Sequence, residues 1–188
     1  MIRIMALVAA SAALSACSQT SQTGTTMTTA GYAFAPPAFH SFCAREPRLC
    51  NTNGQAGPVT LTPQLRRELE SVNSSVNRRV KERSDLSSSC KADDWRLPMA
   101  QGDCEDFAIL KKSELLKRGW PASTLLLTVA TLNGQGHTVL TVRTDAGDVV
   151  LDNRTNAVKD WSRTSYRYFA RQSRNGKWTR IGGPAPLV

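Results

Sequence analysis

Residues QGDCEDFAILKKSELLKRGWP (Gln101–Pro121) and LLLTVATLNGQGHTVLTVRTDAGDVVLDN (Leu125–Asn153) carry two different periodicities almost back to back. In the first, Phe107, Ile109, Leu110, Leu115 and Leu116 supply apolar bulk from about Asp103 to Arg118. Gly119 and Pro121 end the run, which predicts a helix. In the second the period falls to two. It predicts a strand over Leu125–Thr131, a turn at Asn133-Gly134-Gln135-Gly136 and a strand over His137–Thr144; a turn at Asp145–Asp148 then leads to a third strand over Val149–Asn153. Upstream, Leu61, Leu65, Leu69, Val72, Val76 and Val80 recur at helical steps around Thr62-Pro63, a capping hydroxyl and a first-turn proline. Arg66, Arg67, Glu68, Glu70, Arg78, Arg79 and Lys81 fall off that stripe as a solvated face, and Asn73 and Asn77 flank it as hydrogen-bonding groups at the core boundary. Downstream, Arg174-Asn175-Gly176-Lys177 between Tyr168/Phe169 and Trp178/Ile181 reads as another hairpin. Helices first and antiparallel strands after give an α+β fold with helices packed on an antiparallel sheet.

With 188 residues, 40% hydrophobic and 21% charged, the chain is one domain's worth and is not disordered throughout. No apolar run reaches the roughly 18 residues of a spanning helix. Residues 1–16 read as a signal peptide, with Arg3 ahead of the apolar Met5–Leu14. Leu14-Ser15-Ala16-Cys17 resembles the bacterial lipobox, in which Cys17 is acylated and becomes the new N-terminus; an ordinary signal peptide with an incidental cysteine is the plainer alternative. Residues 17–41 then form a lipidated flexible tether and 42–188 the folded domain. The expected location is the periplasm, anchored through lipid to a bacterial membrane. In that oxidising compartment Cys43 and Cys50 of FCAREPRLC are the natural disulfide pair. A metal knuckle is the runner-up, with only His40 nearby to serve it. Counting alone also permits a Cys90–Cys104 bridge.

A cysteine nucleophile needs its thiolate, and a helix start favours that ion through unpaired amides and the macrodipole. Gly102-Asp103-Cys104 sets a thiol in the first turn, where backbone amides, with Gln101 as a further donor, suit an oxyanion. The chain has two histidines, and His40 falls in the predicted tether. His137, at a strand start after a glycine turn, is therefore the candidate base and Asp152 its orienter, with Asn153 in reserve. Each has a plainer reading alone: a structural cysteine, a surface histidine, a turn-opening Asp-Asn. A tight hairpin at Asp145–Asp148 would also set Asp152 opposite Thr141 or Leu140, roughly 10–13 Å along the strand from His137. The triad therefore requires a bulge or skewed turn. Asp103, Glu105 and Asp106 suit a helix start, but three negative charges beside a thiol oppose its ionisation. A hard divalent cation such as calcium is the economical remedy.

The net charge is +9, and Arg154–Arg180 holds eight Lys/Arg against the single Asp160, with Trp161, Tyr166, Tyr168 and Phe169 interleaved. Export argues against a nucleic-acid partner. A solvated face, or attraction to anionic lipid or an acidic protein substrate, accounts for the charge better.

FCAREPRLC, VNSSVNRRV, DDWRLP, QGDCEDFA with LLKRGWP, GHTVLTVRTDAGDVVLDN and the terminal GKW together resemble the bacterial transglutaminase-like cysteine peptidase family, from about Phe42 to Trp178. The resemblance implies a papain-like transglutaminase fold with Cys104 as nucleophile, His137 as base and Asp152 as orienter. Members include calcium-dependent periplasmic proteases that cleave surface adhesins; by position, Asp103 and Glu105 would be calcium ligands and Asp106 a further one. Thr138 stands where the family usually has a smaller residue, and neither Cys90 nor the lipobox maps onto it. The expected function is an exported cysteine peptidase acting on a periplasmic or cell-surface protein. Amine-accepting transglutamination or wall-peptide hydrolysis on the same triad is the alternative within enzymes. A catalytically inert binding lipoprotein, with Cys104 bridged to Cys90, is the alternative outside them.

Overall fold

A computed structural model describes residues 25–54, 56–83 and 94–182, so the predicted signal peptide, Cys17 and Cys90 lie outside the described residues. In chain order the elements are β1 (Thr29–Ala33), α1 (Pro37–Arg45), α2 (Pro47–Cys50), α3 (Pro63–Arg79), β2 (Lys81–Glu82), β3 (Gln101–Gly102) and α4 (Cys104–Lys117). The strands β4 (Leu125–Leu132), β5 (Gln135–Thr144), β6 (Gly147–Asp152), β7 (Thr155–Asp160), β8 (Arg167–Gln172) and β9 (Trp178–Ile181) follow. Thr62 caps α3 by accepting the Leu65 N–H at 3.2 Å, and the predicted stripe buries Leu69, Val72 and Val76. Seven strands form one antiparallel sheet in the order β1-β9-β8-β4-β5-β6-β7, while β2 and β3 make a short parallel pair ahead of α4. Leu140, Val142, Val149 and Leu151 join Phe42, Leu69, Phe107 and Trp95 in the main core, on the face covered by the helices. The alternate residues Val139 and Val150 join Met27, Tyr166 and Tyr168 in a smaller cluster on the other face.

The expected tether does not extend to residue 41. From Thr25 onward the backbone is paired over long range: Thr25 N–H donates to Asp160 Oδ2 at 2.9 Å and Met27 N–H to Asp148 Oδ2 at 2.9 Å. β1 then closes the sheet against β9, and α1 contributes Phe39 and Phe42 to the core. A Ser/Thr/Gly-rich composition carries no record of such partners. Cys43 of α1 is bonded to Cys50 of α2, with Cα atoms 5.5 Å apart. Edge strand β7 has no counterpart in the sequence reading either, because TNAVKD buries only Val158 and lacks the alternation that marks a strand. Among the described residues no helix is long and apolar enough to cross a membrane.

Candidate active site

Two hairpin turns place His137 and Asp152. The β4–β5 turn is only Asn133-Gly134, both at positive φ (52° and 81°), the combination a two-residue type I′ turn demands. The β5–β6 turn is likewise two residues, Asp145-Ala146, with Gly147 at φ 104° already paired to Thr144. This turn is shorter than the sequence reading assumed. The register Thr144↔Gly147 through Leu140↔Leu151 sets Asp152 beside Val139, two residues from His137 and on the same face. Such a diagonal lies within reach of two side chains, and His137 Nε2 meets Asp152 Oδ1 at 2.9 Å. The irregularity expected between β5 and β6 occurs instead between β6 and β7, at Val150/Asp152.

Asp152 is 3% exposed and surrounded by donors. Arg154 N–H donates to Oδ1 at 3.2 Å, and the Tyr166 hydroxyl donates to Oδ2. Burial pushes this carboxyl up, but the hydrogen bonds from His137 and Tyr166 outweigh it and hold the group below its ordinary value. An ionised carboxylate only accepts, so Nε2 carries the proton of the His137–Asp152 bond and Nδ1 is the nitrogen with a free role. Tyr166 also packs its ring on His137, centroids 4.9 Å apart. It arrives from the segment joining β7 to β8, which crosses this face of the sheet. Nothing in its sequence spacing marks it, and the sequence reading passed over it as one aromatic among several.

The backbone of Asp152 is held from the opposite direction. Asp152 N–H donates to Asn73 Oδ1 at 3.1 Å, and Asn73 Nδ2 donates to Thr155 O at 2.8 Å. Asn77 Nδ2 donates to Asp152 O at 3.0 Å. These are the two asparagines that flank the helical stripe. Asn73→Ala is expected to cost about 1–3 kcal/mol in urea unfolding, because it strands the buried N–H of Asp152, while Thr155 O keeps Asn77 Nδ2 at 3.1 Å. Activity should fall with it.

Cys104 opens α4, preceded by the N-cap residue Asp103, whose side chain makes no capping hydrogen bond. Its sulfur accepts the N–H of Thr138, the residue after His137, at 3.3 Å. The thiol is free of any disulfide and donates to Glu105 Oε2 at 3.2 Å. Burial, then the charge and hydrogen bond of Glu105, push it well above the usual thiol range, so the sulfur here keeps its proton. Gln101 lies exposed on β3. Asn153 sits half-buried past β6, donating to Glu82 Oε1 at 3.3 Å. His40 is exposed on α1.

The three carboxylates separate in role. Asp106 is 1% exposed, with Oδ1 accepting Arg96 N–H at 3.0 Å and Oδ2 lying 3.6 Å from Arg96 Nε. It also explains Gly102: a Cβ there would lie 2.7 Å from Asp106 Cβ, so glycine is required by close approach rather than by a tight bend. Burial, then the charge of Asp103, push the Asp106 carboxyl up to about 7 despite Arg96. Among the described residues no three His, Cys, Asp or Glu side chains form a ready metal cage. Asp103 and Glu105 flank Cys104 in sequence, and both press their charge on its thiol. Hard oxygen donors whose negative charge bears on one thiol fit the chemistry of calcium, whereas Asp106 is already committed to Arg96.

Residues 29–185 match the family model described as bacterial transglutaminase-like cysteine proteinase BTLCP. Among solved structures, Legionella pneumophila LapG is similar at 29% identity and a TM-score of 0.51, over 60% of this chain and 65% of that one. Its EGTA-treated form gives 28% and 0.51, over 60% and 64%. The calcium-bound form gives 22% and 0.53, over 82% and 87%. The chain thus spans 65% of the length of the first of these relatives. No curated protein matches it. With the family model running from β1 to beyond β9, the chain belongs to the bacterial transglutaminase-like cysteine proteinases.

Proposed function

We propose that this chain is an exported cysteine peptidase that hydrolyses an amide bond of a cell-envelope protein, using Cys104, His137 and Asp152. The observation that carries the reading is the His137 Nε2–Asp152 Oδ1 contact of 2.9 Å beside a free thiol held by the N–H of Thr138. His137 Nδ1 would take the thiol proton, and the sulfur would attack the amide carbonyl carbon. The first-turn amides of α4 would receive the oxyanion. The imidazolium returns its proton to the leaving amine, and the C–N bond breaks to leave a thioester. Water, deprotonated by Nδ1, then attacks that thioester and releases the acid and the thiol. Asp152 stays ionised throughout, fixing the tautomer and stabilising the imidazolium. Calcium, which LapG binds in one of its structures, would be held here by Asp103 and Glu105 and would supply the positive charge that the thiolate lacks. The lipobox-like Leu14–Cys17 supports attachment to a bacterial membrane.

Incubation with a panel of envelope proteins, read by mass spectrometry of new termini, tests the reading. Cleavage should be lost in Cys104→Ala and on EGTA, and return with excess calcium. A labelled primary amine in the same reaction distinguishes hydrolysis from amine transfer. Thiol-dependent amine incorporation without new termini would replace the peptidase reading, and no thiol-dependent product would end it.

A further inference from the structure

We propose that the cavity beside Asp152 is an anion-binding subsite that takes a carboxylate- or phosphate-type oxyanion. The cavity measures about 220 Å³, and Asp152 and Tyr166 both line it. Its walls come from β6 and the edge strand β7, from Leu132 of β4 and from the segment that leads to β8. The β6–β7 pairing sets Lys159 opposite Val150 and Thr155 opposite Asp152, so Lys159 stands on the same face as Asp152. The chain then turns through Trp161–Arg163 and crosses that face to reach β8, bringing Arg163 and Ser165 over the cavity. Arg154, from the β6–β7 turn, completes three cations around one concavity.

A solvated basic face is the plainer explanation of such charges, but it does not gather them. Here they converge on one hollow, where like charges repel one another and focus a positive potential. The lone carboxylate among the lining residues, Asp152, offsets one of the three cations and leaves the hollow with an excess of positive charge; its oxygens face His137, the Arg154 backbone and Tyr166. Among the described residues, no ion pair engages the side chains of Arg154 or Lys159. Guanidinium groups beside an ammonium and a hydroxyl match an oxyanion, which the arginines recognise by paired N–H donors. Arg154, Lys159 and Arg163 are exposed residues, so the site is salt-sensitive. Two sources share this chemistry. One is an acidic side chain of the substrate near the scissile bond, which rests on the peptidase reading; the other is a free inorganic anion.

The binding test uses full-length Cys104→Ala protein, so it does not depend on catalysis. Inorganic phosphate is titrated against chloride at matched ionic strength, following the melting temperature, in parallel with a Lys159→Gln/Arg163→Gln version. The expected result is a saturable rise with phosphate whose midpoint moves about tenfold higher in the double variant. No rise beyond that with chloride, or an equal midpoint in the double variant, overturns the proposal. In active enzyme, peptides with Glu or Gln flanking the scissile bond separate the sources. A Glu preference in kcat/KM that phosphate abolishes and the double variant lacks assigns the subsite to substrate. Phosphate binding without that preference assigns it to a free anion. Phosphate binding with no peptide cleaved at all would fault the peptidase reading and leave the anion site standing.

Discussion

Asp152→Asn is expected to fold like the parent and lose about 10³–10⁴ in kcat. The carboxylate accepts from three donors: His137 Nε2 and the Arg154 N–H on Oδ1, and the Tyr166 hydroxyl on Oδ2. An amide offers one oxygen and two N–H groups. If its NH₂ faces His137, Nε2 must become the acceptor, and the proton moves to Nδ1, the nitrogen needed as base. If its oxygen faces His137, the tautomer survives, but the negative charge that stabilises the imidazolium is gone. Either way proton transfer at Nδ1 is impaired, while the backbone bonds of Asp152 to Asn73 and Asn77 remain. Single-turnover kinetics and a melting curve on the same sample read the two effects separately. A loss below tenfold with an unchanged melt would remove Asp152 from the mechanism.

Stability should climb by several kcal/mol between pH 7 and 9, an unusual rise that two buried lysines dictate. Lys111 and Lys112 are both 0% exposed on α4. Lys112 Nζ donates to Gln172 Oε1 at 3.2 Å, and Lys111 Nζ lies 5.7 Å from the Phe107 ring centroid. Burial pulls each down to about 7, opposed at Lys111 by the charge of Asp152. The unfolded chain keeps both protonated to roughly pH 10.4. Between those values the unfolded state binds more protons, so the unfolding free energy rises with pH. Two such groups set an upper slope of about 2.7 kcal/mol per pH unit. Below this window Asp106 acts in the opposite sense. Its carboxyl is raised to about 7, so between roughly pH 4 and 7 the folded state holds the extra proton and stability falls as pH rises. Tyr166, Tyr168 and Cys104, all raised first by burial, bring stability down again only at alkaline pH, where the unfolded groups ionise. Urea unfolding from pH 5 to 9 should therefore show a minimum near neutrality. Lys112→Met should roughly halve the upper slope, and a flat profile would contradict the account.

The helix and hairpins around the site were legible because their signals are local. Thr62-Pro63 and the leucine–valine stripe announce α3, the apolar bulk after Asp103 announces α4, and Asn133-Gly134 announces a two-residue turn. The order Cys104, His137, Asp152 could be read for the same reason. The His137–Asp152 distance could not, because it depends on a hairpin register that changes with a single turn residue. Tyr166, β1 and the pairing of Asp106 with Arg96 were hidden for a different reason. Each depends on a partner brought near by the chain's path, and composition leaves no trace of that. Gly102 belongs with these, because its constraint is the Asp106 side chain packed against it.

In the proposed mechanism Cys104 ionises only when His137 and a positive charge act on it together. The most direct measurement is the rate of Cys104 alkylation by iodoacetamide against pH, with calcium and with EGTA, in the parent and in His137→Ala. With calcium, the parent should react fast near neutral pH. EGTA should push the profile above that of an ordinary thiol, as burial and Glu105 require, and His137→Ala should remove the neutral-pH reactivity altogether. One slow profile shared by all four samples, or a mass placing Cys104 in a disulfide, would contradict the claim.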